Sequence, residues 1–159
     1  MNMKFTSILV LFSCVIVSCS NDLSQRIAGE WKVTDMKAYM NNVSQQLIEN
    51  AKTLSLATTY EISNNGRYSM KISETPMETG REHRGTMKID SKSREIIFSS
   101  DTILYKKNGH WEIVEKNNYN TPMFKPMNLE VDKISSNRLI LSKTDKRGTI
   151  IYILERISE

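Results

Sequence analysis

The sequence predicts an all-β fold: an up-and-down antiparallel β-barrel of about 8–10 strands, with one short helix between the first and second strands and a cleaved signal peptide in front. Two observations carry this. Short segments in which apolar and polar residues alternate recur along most of the chain, the pattern of strands with one buried face. Turn residues separate them at even spacing, and with only six glycines and three prolines in 159 residues each is placed to mark a turn or an edge. Closing such a meander into a barrel removes the exposed edges of an open sheet.

The elements follow in order. Met1 to Val17 holds one charge, Lys4, and a mostly apolar run from Phe5 to Val17 that is too short to span a bilayer, which takes roughly 20 residues. The next four residues, Ile16-Val17-Ser18-Cys19, resemble the bacterial lipobox. That resemblance implies acylation of Cys19, cleavage before it, a signal peptide over 1–18 and a lipidated tether over 19–25. Cys14 leaves with the signal, so the mature chain has no disulfide. Ser20-Asn21-Asp22 resembles the polar and acidic export signal of surface lipoproteins in the Bacteroidota, which implies an outer-membrane location, on the periplasmic or the surface side.

The domain then runs over 26–159, opening with the strand "AGEWKVTDM". From Asn42 to Leu56, Val43, Leu47, Ile48, Ala51 and Leu54 share one helical face. "YEISNNGRYSMKI" is a hairpin in which Asn65-Gly66 supplies positive φ angles. "GTMKIDSKSREIIFSS" turns at Asp90 to Ser93, "ILYKKNGHWEIVEK" at Asn108-Gly109, and the last segments at Ser135 to Asn137 and Asp145 to Gly148. The count is nine strands, or ten if Ser99 to Asp101 is a turn rather than a bulge. Asn117 to Asn128 is a long irregular loop rich in Pro, Met and aromatic groups.

Gly29-Glu30-Trp31 has the G-x-W form that opens lipocalins. With the lipobox and the ordered strand phrases, the chain resembles the lipocalin-like, calycin-type lipoprotein domains of the Bacteroidota. The resemblance implies a structural plug in which Arg156 of "YILERIS" lies across Trp31 beside Gly29, and a small apolar ligand inside the barrel. The candidate ligand contacts are Tyr60, Tyr68, Met70, Met87, Phe98, Trp111 and Ile113.

Enzyme chemistry has no pattern to rest on. The mature chain has no cysteine beyond Cys19, and His83 and His110 sit in separate hairpins as solvated residues without ligand-like spacing. No cofactor or metal is expected, and Asp35, Asp101 and Asp132 meet only if the barrel brings them together. The charge of +4, or +3 once Lys4 is removed (4 − 1), is too mild for nucleic acid. The basic clusters Arg81/Arg84, Lys106/Lys107 and Lys143/Lys146/Arg147 fall at turns as solvated charges. Met70, Met87, Met123 and Met127 read as core filling.

Two function classes remain. One is a lipid-tethered barrel holding a small apolar ligand under the Asn42 to Leu56 helix as a lid. The other is a filled barrel that docks on an envelope protein through its outer face or its Tyr119 to Met127 loop.

Overall fold

Alternation becomes strand along almost the whole domain, and the barrel closes. The computed structural model describes residues 23–114 and 121–157; the signal peptide, Cys14, Cys19, Ser20-Asn21-Asp22 and Tyr119 lie outside them. The strands are β1 (Gly29–Met40), β2 (Thr58–Ile62), β3 (Arg67–Ile72), β4 (Arg81–Asp90), β5 (Glu95–Lys107), β6 (His110–Ile113), β7 (Met127–Ile134), β8 (Arg138–Asp145) and β9 (Gly148–Arg156). All neighbours are antiparallel, in the order β4-β3-β2-β1-β9-β8-β7-β5, and β4 pairs with β5 to close eight strands. The ninth, β6, is attached outside the ring to the far half of β5, whose near half pairs with β7.

Among the described residues the strands number nine, a count decided at Asp101. Arg84 faces Thr102 and Gly85 faces Ser100, so Asp101 is the extra residue of a bulge and β5 runs on unbroken. A second bulge at Thr34 resets β1, and Trp31, Val33 and then Met36 all point inward, with exposures of 0%, 1% and 4%.

The two Asn-Gly hairpins differ. Asn108 and Gly109 both have positive φ, 50° and 81°, the tight two-residue turn expected. At Asn65-Gly66 only Gly66 does, at 77°, while the Gly66 amide donates to the Ser63 carbonyl and the Asn65 side chain accepts from the Arg67 amide. The Ser63 amide donates to the Arg67 carbonyl, so that loop holds three residues, Asn64 to Gly66, one more than a two-residue turn.

The helix α2 covers Gln45–Leu56, three residues shorter at its start than expected. Asn42 adopts a left-handed φ of 57°, and Ser44 stays extended and caps the Leu47 amide with its hydroxyl. A short helix, α1 (Leu23–Ile27), occupies part of the segment read as tether, because Ile27 is fully buried against the barrel base and Leu23 packs beside it. Thr121–Phe124 forms a 3-10 turn against β5, with Phe124 buried.

Inside the ring, Phe98 gathers Tyr60 and Tyr68, with ring centroids 5.8 and 4.9 Å away and the second pair edge to face. Leu139, Leu141 and Leu154 close the opposite wall.

Candidate functional site

The base of the barrel is sealed by side chains from both ends of the chain. The Arg156 guanidinium carbon stands 4.1 Å from the Trp31 ring centroid. Its three nitrogens donate to the carbonyls of Ser136, Ala28 and Arg26 at 2.7, 2.7 and 3.0 Å. The Trp31 indole donates to the Ile27 carbonyl at 2.7 Å, leaving no buried donor of the ring unmet. Gly29 is required twice: its φ is 132°, and a Cβ there would clash with Nη1 of Arg156. The plug residues expected from the sequence, Gly29, Trp31 and Arg156, are thus one contact.

Above the base the interior is occupied. Tyr60, Tyr68, Met87 and Phe98 belong to the buried core and Met70 packs against it. Trp111 and Ile113 do not join them. They ride on β6, outside the closed ring, and remain 39% and 68% exposed. Met127 lies against the core and Met123 meets the Tyr105 hydroxyl at 3.8 Å.

A polar chain crosses this interior. Ser100 Oγ bonds both the Tyr68 hydroxyl, at 2.8 Å, and His83 Nδ1, at 3.1 Å. His83 is therefore not the solvated residue its charged neighbours suggest: it is 9% exposed, and burial, aided by the charge of Arg81, lowers its pKa to about 4. Arg81 is likewise not a solvated turn charge. It lies on the same side of β4 as His83, with the Tyr105 hydroxyl at 3.2 Å and Glu78 at 3.3 Å. The strand parity that puts Met87 and Gly85 inside puts His83 and Arg81 inside too, a signal the sequence did contain. His110 is exposed.

The three acids do not converge. Asp35 pairs with Lys52 at 3.3 Å, Asp101 with Arg67 at 2.9 Å, and Asp132 accepts from Ser142 at 2.9 Å. Among the described residues no three His, Cys, Asp or Glu gather into a cation site, and no helix is long and apolar enough to cross a membrane.

At the far end, α2 packs chiefly on the upper half of β1, through Lys52 to Asp35 and a contact of the Ser55 hydroxyl with the Met36 sulfur. None of its residues is buried, and Leu47 is 60% exposed.

The outer face of β2, β3 and β4 carries a different arrangement. A cleft of about 410 Å³ is lined by Glu30, Glu61, Ser69, Lys71, Glu82, Arg84 and Trp111, among others. A second, of about 460 Å³, shares Lys71 and Trp111 with it. A third cleft, about 520 Å³, lies between the Glu74 to Thr79 loop and the β5–β6 turn.

No family model matches this chain, and no curated protein does. Among solved structures, an uncharacterized protein from Bacteroides eggerthii DSM 20697 aligns over 82% of this chain and 98% of its own, at 10% identity and a TM-score of 0.46.

Proposed function

We propose that the protein is a cell-envelope lipoprotein with a lipocalin-like barrel, tethered to the outer membrane through acylated Cys19, that binds rather than catalyses and uses its barrel as a rigid carrier. The observation that carries this reading is the filled interior. Trp31 at the base, Phe98 above it and Ile103 near the mouth are each at most 1% exposed, and Tyr60, Tyr68 and Met87 between them at most 7%. A barrel occupied by its own aromatic rings leaves recognition to its outer surface and rim. The Arg156 clamp on Trp31 supports the lipocalin-like relation.

Mass spectrometry of lipid extracts from protein purified out of its own membrane tests the carrier reading. No stoichiometric apolar molecule is expected. Its presence overturns the reading in favour of a second one, a small apolar ligand held at the mouth under α2, which the absence of any buried residue in that helix supports. The anchor is tested apart from this: metabolic labelling with a fatty acid marks the native protein and misses Cys19→Ser, and equal labelling of both removes the tether.

A further inference from the structure

The strand register sets two rows of side chains across the outer face. One runs Glu30, Glu61, Ser69, Arg84 and Thr102; the other runs Lys32, Thr59, Lys71, Glu82, Leu104 and Ile113. Trp111 leans over them from β6, with the Lys71 ammonium 5.8 Å from its ring centroid.

Two features of this face exceed what the fold requires. An indole is 39% exposed on the polar side of a sheet, while the other tryptophan is fully buried. Glu30 and Glu61 stand directly opposite each other, and among the described residues neither carboxylate makes a close ion pair or hydrogen bond, the Arg84 charge acting on Glu61 only at longer range. Like charges at that spacing cost stability. The neighbouring polar groups, by contrast, are held rigid: Glu82 accepts from Ser69 at 2.8 Å and from two nitrogens of Arg84 at 2.7 and 3.0 Å.

We propose that this face is a binding site for a neutral oligosaccharide, with Trp111 as the stacking platform. The proposal rests on the reading that recognition takes place outside the barrel. A sugar ring has an apolar face of C–H groups and a rim of hydroxyls that both donate and accept. The indole offers a flat apolar surface to the first. Glu30 and Glu61 accept from the second, and Lys71 and Arg84 donate to it. Carboxylates and cations interleaved in this way disfavour a charged ligand of either sign, and Lys71 and Arg84 repel a bare metal ion from the glutamate pair. Both clefts fall in the size range of small-ligand pockets, roughly 300–1,000 Å³. Because they meet at Trp111 and Lys71, the site suits a chain of sugars running past the indole rather than a single ring.

Fluorescence provides the test, since Trp31 is buried in the base and Trp111 alone reports the surface. The full-length protein, in a detergent without sugar groups, is titrated with hexasaccharides of β-1,4-glucan, α-1,4-glucan, β-1,3-glucan, β-1,4-xylan and α-1,6-mannan, with calorimetry in parallel. At least one is expected to shift the Trp111 emission saturably. Trp111→Ala should weaken the heat of that binding at least tenfold and Glu61→Gln severalfold, with the melting temperature of Trp111→Ala unchanged. Absence of binding by every hexasaccharide at millimolar concentration overturns the proposal, as does undiminished binding by Trp111→Ala. Neither result touches the carrier reading, which the lipid extraction decides by itself.

Discussion

Trp31 and Arg156 show how much one contact can fix. Removing the indole leaves a cavity at the base and three guanidinium bonds without the ring they stack on, so Trp31→Ala should lower stability by about 3–5 kcal/mol in urea denaturation. Gly29→Ala should act on the same contact by displacing Arg156, and should lower the melting temperature although it adds only a methyl group. His83 predicts a pH dependence. Its folded pKa, about 4, lies below the unfolded value of 6.5, so between these the unfolded chain takes up a proton that the folded chain refuses. Stability therefore falls as pH falls through that window, by a total of order 3 kcal/mol once pH 4 is passed. The depressed carboxyls of Asp35, Glu82, Asp90 and Asp145 act in the same direction but only below the usual carboxylate range. Urea midpoints at pH 7 and pH 5 isolate the histidine, and His83→Gln should flatten the difference between them. The plug was legible in the sequence because G-x-W marks it. His83 was legible only by counting parity back from Met87, a signal that the charges of Glu82 and Arg84 on the outward parity masked.

At the level of elements, α2 is the loosest regular piece. A helix of 12 residues is marginal without tertiary support, and this one half-buries Ile48, Ala51 and Leu54 but fully buries no side chain. Amide exchange should be faster across Gln45–Leu56 than across any barrel strand, and Leu47→Glu should leave the melting temperature unchanged. Slow exchange there, equal to that of β1, would show that the helix shares the core's cooperativity. Periodicity located this helix correctly but spoke only of its amphipathic face, not of what the face would meet. The strands were legible for the opposite reason, since a period of two states directly which side is buried. β6 is the exception: Trp111 and Ile113 alternate like any inward pair. What expels them is the length of β5, whose 13 residues outlast its pairing with β7 and leave its far half to take β6 instead. Nothing within "HWEI" records that choice of partner.

Over the whole molecule, the last strand is the wall between the first and its neighbour. β9 pairs along β1 on one side and β8 on the other, so a chain ending before Gly148 keeps both edges open. Such a truncation should lose the cooperative unfolding transition and be cut readily by protease, whereas the loss of α2's apolar side chains should not have this effect. The order of strands also sets a timetable. At ordinary synthesis rates β1 is made roughly 5–20 s before β9 can reach it. Through that interval the nascent sheet grows from β1 to β8 with a bare edge at each end, each able to recruit another copy of the same chain. Lys32 and Lys37 on β1 and Lys143 on β8 line those two edges. Their charges, which do little once the barrel has closed, act earliest and most strongly as guards against aggregation in the half-made protein.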